Sequence, residues 1–170
     1  MIILGIDPGL ATVGFGVVEA HGARISYARH GVISTQAGQR LALRLSRIYY
    51  DVLELIDTFK PDAIAIEELF FNTNITTGIS VAHGRAAAIL AGEERGVTMY
   101  EYTPLQVKQA VTGYGRAEKK QVMEMVKRLL QLDAIPRPDD AADGLALAIC
   151  HARNASSLIS GIGGAQCSTI

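Results

Sequence analysis

The chain has 170 residues and a formal net charge of −1 at pH 7; 49% of its residues are hydrophobic and 19% are charged. This balance is typical of a globular protein with a core and excludes general disorder, while the near-neutral charge argues against a protein that coats nucleic acid through bulk charge. No apolar run approaches the roughly 20 residues of a membrane span and no signal sequence opens the chain. We therefore expect a cytoplasmic protein with one domain, residues 1–153, and a flexible tail, residues 154–170.

The first residues predict a buried strand that ends in a carboxylate. Residues 1–6 are almost all apolar, which is typical of a strand buried on both faces, and Pro8-Gly9 ends the strand directly after Asp7. A carboxylate in this position is costly unless something compensates its charge. Asp7 therefore either caps the following turn, a common role for Asp before Pro-Gly, or acts as a metal ligand or general base.

The remaining periodicities predict an α/β domain. In chain order they indicate strands at residues 12–19 and 24–34, a helix at 40–59, a strand at 63–66, a helix at 75–95, a strand at 97–102, and helices that begin at 103, at about 117 and at about 139. Gly14 and Gly16 lack side chains on one face of the second strand. They indicate either that something approaches the backbone closely beside Asp7, or a bulge or tight packing.

A second carboxylate ends a second buried strand. Ala63 to Ile66 form a short apolar run, and Glu67 and Glu68 follow it. Strands joined through a helix in one sheet pair in parallel, so their carboxyl ends share one edge. We therefore expect Asp7 and Glu67 to be neighbours, at the edge where open α/β sheets bind ligands.

Two more carboxylates begin the last helix. Asp140 and Asp143 are three residues apart and so share one side of the helix, and the residues that follow are apolar on every side. Acidic residues in a first turn also favour the helix dipole by ~0.3–1 kcal/mol, and Asp139 can act as a simple cap. The apolar continuation favours a helix packed against the sheet, which would bring these carboxylates to the same edge.

Four converging carboxylates could not all stay ionised without cations. Oxygen ligands favour Mg²⁺ or Mn²⁺ over zinc, and two such ions serve phosphoryl displacement on DNA or RNA. The cysteines, Cys150 and Cys167, have no metal-ligand spacing and are expected to stay reduced, with Cys150 in the core. A basic stretch, residues 108–128, carries six basic against two acidic side chains and could bind phosphates.

Four segments in register resemble the bacterial Holliday-junction resolvases of the RuvC type. They read ILGIDPG, AIAIEELF, QVKQAVTGYGRAEKKQV and DDAADGLALAI, and the resemblance runs from residue 1 to about residue 153. It implies a ribonuclease H-like fold, with a five-stranded mixed sheet between helices, in a homodimer. It also implies paired symmetric cuts in four-way junction DNA by hydrolysis that leaves 5′-phosphates. The family's partners include the RuvA–RuvB branch-migration complex.

The resemblance also assigns residue roles. The metal-binding catalytic residues would be Asp7, Glu67, Asp140 and Asp143 around Mg²⁺, for which Mn²⁺ can substitute, with two ions in each active site. Glu68 and Asp139 adjoin two of these motif positions and remain alternatives to them. Lys108 and Lys119 correspond to lysines that the family uses to contact DNA phosphates and in catalysis. Arg116 and Lys120 would be further DNA contacts in the basic stretch. The family's loop aromatic, which stacks on opened bases, corresponds to Phe70, with Phe71 beside it, although an aromatic pair in a loop can also be a small satellite core. The small-residue helix at 75–95 is similar to the family's dimer helix.

Three other functions remain open from the residues. The nearest is another ribonuclease H-like nuclease that acts on RNA or branched DNA. A sugar or acetate kinase of the actin-like class is suggested by GIDPG alone, but 170 residues are too few for the paired domains of such kinases. A catalytically inactive junction-binding module is disfavoured because all four acidic positions are filled.

Overall fold

The structure, a computed structural model, describes residues 1–69, 75–159 and 168–170, with the side chains of residues 75–77, 156–159 and 168 excluded. These residues form six strands and five helices: β1 (Ile2–Asp7), β2 (Thr12–His21), β3 (Arg24–Ser34), α1 (Leu41–Phe59), β4 (Ala63–Glu67), α2 (Ile75–Glu94), β5 (Met99–Tyr102), α3 (Pro104–Thr112), α4 (Lys119–Leu129), α5 (Asp139–Ile159) and β6 (Ser168–Thr169). The predicted elements all form. None of the described helices is long and apolar enough to cross a membrane.

One mixed sheet orders the strands β3-β2-β1-β4-β5-β6. The first three strands pair antiparallel, whereas β1, β4 and β5 run parallel, as strands joined by crossover helices do. Ile6 of β1 pairs with Ile66 of β4, so Asp7 and Glu67 follow at the same edge. This arrangement confirms the predicted neighbourhood of the two strand ends.

Helices cover both faces of the sheet, in agreement with the predicted α/β class. The face that carries α3, α4 and α5 has a core built around Ile3, Val18, Tyr102, Leu145 and Ile149. The face that carries α1 and α2 has a second core, in which Leu4, Ile6, Val17, Ile48, Val52 and Ala88 are buried. Alternate residues of β1 contribute to each core because successive side chains of a strand point to opposite faces. A central strand buried on both sides therefore leads to Asp7.

Helix α5 lies against β1 and β2 because glycines leave room for its backbone. A Cβ atom at Gly14 would overlap the carbonyl oxygen of Asp140, and one at Gly16 would overlap the backbone of Leu145. The predicted close approach beside Asp7 is thereby confirmed, and its partner is α5. Because the helix backbone lies this close to the sheet, its acidic start reaches the end of β1.

The C-terminal part of the chain differs most from the expectation. Helix α5 continues to Ile159, beyond the predicted domain boundary at residue 153, and Cys150 and Ala152 just before that boundary belong to the core. Ser168–Thr169 form a short strand that pairs antiparallel with β5 and that no sequence pattern predicted. Cys150 is fully buried, as predicted, whereas Cys167 lies outside the described residues. The division into a domain and a flexible tail stays a prediction.

Candidate active site

A cleft of about 240 Å³ opens at the edge where β1 and β4 end. Three carboxylates from three elements line it: Asp7 from β1, Glu67 from β4 and Asp143 from near the start of α5. Two lysines line the same cleft, Lys108 from α3 and Lys119 from α4. The other lining residues are Pro104, Val107, Val122, Ala146 and Leu147. The cleft thus combines acidic and basic groups with an apolar wall.

The starts of α3 and α4 place the two lysines. Helix α3 begins with a capping box, in which Thr103 Oγ1 accepts a hydrogen bond from the Gln106 N–H at 3.1 Å and Gln106 Oε1 accepts one from the Thr103 N–H at 2.8 Å. Lys108 lies one turn further along this helix. Helix α4 has Lys119 as its first residue. The capping residues therefore fix where both cations enter the cleft.

Burial and like charges make the carboxylates hard to ionise together. The pKa of Asp7 is raised from its ordinary 3.8 to about 7, first by burial and then by the negative charges of neighbouring carboxylates. Those neighbours are, in order of effect, Glu67, Asp143 and Asp140. Burial and the charge of Asp143 raise the pKa of Glu67, and burial raises that of Asp143. The site is therefore short of positive charge.

Lys119 supplies part of that charge. Its Nζ donates a hydrogen bond to Asp143 Oδ2 at 2.9 Å and lies 4.0 Å from Asp139 Oδ2. Burial lowers the pKa of Lys119, but the hydrogen bond to Asp143 and the nearby negative charges raise it overall, so the side chain is an ammonium. The Asp143 pKa is raised even with this partner, so one lysine does not compensate the buried negative charge.

Asp140 lies beside this cleft but lines a different cavity. That second cavity, of about 370 Å³, is formed by the Gly9–Thr12 turn, Arg44, Ser80, Val81 and Asp140. The charge of Asp140 nevertheless raises the Asp7 pKa, so the two cavities share one electrostatic environment. The structure thus brings three of the four predicted carboxylates together in one cleft and places the fourth next to it.

The donor set of the cleft suits a hard divalent cation. Carboxylate oxygens are the ligands that Mg²⁺ and Mn²⁺ prefer, and a cation would offset the repulsion that raises the Asp7 pKa. As the side chains stand, no three acidic, histidine or cysteine residues in the described part of the chain have metal-binding geometry together. The residues therefore fit a cation by chemistry and charge, and their side chains would have to close around it.

The two alternative acidic residues have different surroundings. Glu68 is exposed and its backbone N–H donates to the Tyr102 carbonyl at 2.9 Å, whereas Glu67 lines the cleft. Asp139 forms an ion pair with Arg137 at 2.6 Å, and neither alternative residue lines the cleft. The geometry therefore favours Glu67 over Glu68 as a ligand, whereas Asp139 and Asp140 both lie outside the cleft lining.

The predicted DNA contacts are distributed over a wider surface. Arg116 and Lys120 are exposed and do not line the cleft. Lys120 lines a groove of about 470 Å³ together with Tyr114 and Arg128. Phe70 and Phe71 lie outside the described residues.

Sequence reasoning missed Arg85, which adjoins the site from α2. Its Nε donates to the Glu67 carbonyl at 3.3 Å, and its Nη2 pairs with Glu101 of β5. The only signal in the sequence was a single arginine within a run of small residues on a helix.

Comparisons with known proteins agree with the geometry. A family model described as Crossover junction endodeoxyribonuclease RuvC matches residues 3–151. A curated protein of that name from Rubrobacter xylanophilus is 60% identical over 151 residues, which cover 89% of this chain and 84% of that protein. Another of that name, from Ruminiclostridium cellulolyticum, is 56% identical over 151 residues, with 89% and 91% covered.

A solved structure gives the same result for the fold. The structure titled "T. thermophilus RuvC in complex with Holliday junction substrate" is similar with a TM-score of 0.88 and 34% sequence identity, and the match covers 100% of this chain and 99% of that chain. The ribonuclease H-like fold that the sequence implied is thereby confirmed.

Proposed function

The chain belongs to the crossover junction endodeoxyribonuclease RuvC family, and we propose that it resolves four-way DNA junctions by paired, metal-assisted nicks during recombination and repair. The observation that carries this proposal is the convergence of Asp7, Glu67 and Asp143 on one cleft that also contains two lysines. Three half-buried carboxylates with a raised Asp7 pKa favour a bound cation, and phosphodiester cleavage is the usual reaction of such acidic clefts on DNA or RNA.

We assign the binding of divalent cations to Asp7, Glu67 and Asp143, with Asp140 as the fourth ligand. The family requires a divalent metal; we propose Mg²⁺ as the ion, with Mn²⁺ as a substitute and two ions in each active site. Bound cations would activate the attacking water and stabilise the leaving 3′-oxygen, which leaves 5′-phosphates. The apolar wall of the cleft keeps the carboxylates partly desolvated and so strengthens their hold on a cation.

The lysines have separate roles in this proposal. Lys119, held by Asp143 at 2.9 Å, offsets the charge that develops on the scissile phosphate. Lys108 lines the cleft near Glu67, whose pKa its charge lowers, and it binds a substrate phosphate in the ground state. Exposed Arg116 and Lys120 extend this phosphate-binding surface, and Phe70 and Phe71 stack on opened bases.

A homodimer completes the proposed function. A two-fold dimer places two equivalent clefts on a two-fold junction, which accounts for symmetric cuts. Exposed apolar side chains on α2 support this helix as the contact: Ile79 is 49% exposed and Leu90 is 62% exposed. We further propose that the dimer works in the cytoplasm with the RuvA–RuvB branch-migration complex.

Two neighbouring glutamates offer a matched test of the site. Glu67→Gln should abolish cleavage of a synthetic four-way junction in Mg²⁺, because the amide removes a cation ligand, while junction binding stays within about twofold. Glu68→Gln changes the next residue, which is exposed and outside the cleft, and should cleave like the wild type. Cleavage is followed on denaturing gels and binding by gel shift in Ca²⁺. Normal cleavage by Glu67→Gln, or loss in both variants, would contradict the assignment.

A further inference from the structure

We propose that Arg85 is a positioning residue for the active site: through Glu101 and the Glu67 carbonyl, it fixes the end of β4 and thereby the Glu67 carboxylate. The inference rests on the proposed function, because it assumes that Glu67 takes part in cleavage. Arg85 itself lies outside the cleft and does not line it.

The contacts of Arg85 join three elements. Arg85 is in the middle of α2, its Nη2 forms an ion pair with Glu101 Oε1 of β5, and its Nε donates to the carbonyl of Glu67 at 3.3 Å. Both charged side chains are largely removed from water: that of Arg85 is 15% exposed and that of Glu101 is 17% exposed. A planar guanidinium can bind two acceptors at a fixed angle, so the Glu101 contact also sets the direction of Nε toward Glu67.

The end of β4 depends on this contact on one side. On the other side, Glu67 pairs with Tyr102 of β5, and the Glu68 N–H donates to the Tyr102 carbonyl at 2.9 Å. After Glu68 the chain leaves the sheet. The Arg85 contact therefore holds the backbone of Glu67, the last residue of the strand, from the α2 side. Fixing this backbone also fixes the starting point of the Glu67 side chain. A displacement of about 1 Å in such a group can reduce a rate by about 10²-fold.

The residue before Arg85 supports the same role for α2. A Cβ atom at Gly84 would overlap the carbonyl oxygen of Gly9, which lies two residues after Asp7. Adjacent residues of one helix thus contact the turn two residues after Asp7 and the backbone carbonyl of Glu67. Helix α2 therefore supports Asp7 and Glu67 together.

A purely structural ion pair would behave differently when it is replaced. A buried ion pair can often be exchanged for apolar side chains of similar volume without loss of stability, because desolvation offsets the attraction between the charges. The double variant Arg85→Met/Glu101→Leu should therefore fold and melt close to the wild type. It nevertheless lacks the donor to the Glu67 carbonyl. Stability and positioning can thus be separated in one protein.

The test measures cleavage, junction binding and cation affinity on this double variant. We expect kcat on a four-way junction to fall about 10- to 100-fold, the magnitude typical of lost outer-shell support, with junction KM within about twofold. Mn²⁺ affinity, measured by calorimetry on the DNA-free protein, should fall as well. Arg85→Lys, which keeps the charge but lacks the planar fork, is measured in parallel and should also lose kcat and Mn²⁺ affinity.

The control replaces an ion pair that lies just beyond the far end of α2. Arg95 at the end of α2 pairs with Asp57 of α1 at 2.7 Å, far along the helix from the cleft, and Arg95→Met/Asp57→Leu should keep wild-type kcat and Mn²⁺ affinity. Wild-type kcat and Mn²⁺ affinity in both Arg85 variants would overturn the inference. If Glu67→Gln also cleaved normally, the proposed function would fail with it; if Glu67→Gln were inactive, only the role of Arg85 would fail.

Discussion

Replacing Asp7 should stabilise the cation-free protein while it abolishes cleavage. The Asp7 pKa is raised from 3.8 to about 7, so the folded state holds a proton that the unfolded state releases between these two values. Stability is therefore lost as the pH rises from 3.8 to about 7, and it stays lost above pH 7. A shift of about three pKa units corresponds to about 4 kcal/mol at pH 8, which is an upper limit for the gain from Asp7→Asn.

The assay is thermal unfolding in EDTA at several pH values. In a domain of this size 1 kcal/mol moves the melting temperature by about 2–4 °C, so Asp7→Asn should raise it by up to about 8–16 °C at pH 8 and by little at pH 4. Asp133→Asn removes one negative charge from an exposed position away from the cleft and should show no such pH dependence.

Divalent cations provide the second half of this prediction. Mg²⁺ or Mn²⁺ should raise the melting temperature of the wild type, since a ligand that binds only the folded state stabilises it. The same ions should have little effect on Asp7→Asn. The reasoning is refuted if Asp7→Asn melts at or below the wild-type temperature at pH 8 in EDTA, or if both proteins respond equally to the ions.

Three further predictions concern other parts of the molecule. Lys119→Met should reduce cleavage about 10²-fold, because the cleft loses the ammonium that faces the developing charge, with junction affinity measured alongside as the control. Lys108→Ala should weaken junction binding and reduce the slope of log affinity against log salt by about 1 in salt titrations, and an unchanged slope would contradict a phosphate contact. His151 is 5% exposed, and burial lowers its pKa to about 4, so its contribution to stability is present above pH 6.5 and is lost as the pH falls toward 4. The background Asp7→Asn removes the largest opposing pH trend, that of Asp7. In this background His151→Gln should flatten an acid-side loss of about 3 kcal/mol in pH-dependent denaturation, and an unchanged pH slope would show that another group is responsible.

The strand ends were predictable because they follow from local patterns and one rule of topology. Asp7 and Glu67 each end an apolar run, and a crossover helix makes their strands parallel, which brings both carboxylates to one edge. Gly14 and Gly16 predicted a close approach to the strand, although the pattern did not say that the approaching group would be the backbone of α5.

The division between Asp140 and Asp143 could not be predicted from spacing. At 3.6 residues per turn, positions three apart differ by roughly 60° around the helix. In an isolated helix that angle leaves them on one side, but here one side chain lines the cleft with Asp7 and the other lines the neighbouring cavity. The outcome depends on where the end of β1 meets α5, which is a tertiary contact.

Arg85 shows the same limit. Its partners, Glu67 and Glu101, come from two strands, and no local pattern of α2 indicates that one guanidinium would reach both. The short strand β6 was equally unpredictable, since two residues carry no periodicity and their pairing depends on the free edge of β5.

The most direct test of the proposed function maps the products of the wild-type protein on a synthetic mobile four-way junction in Mg²⁺. Linear duplex DNA and an RNA–DNA hybrid of the same sequence are treated in parallel, and cleavage sites are read at nucleotide resolution. We predict paired, symmetric nicks with 5′-phosphates on the junction alone. Cleavage of the hybrid in preference to the junction would contradict that function. It would indicate instead that the cleft of Asp7, Glu67 and Asp143 is the active site of a ribonuclease.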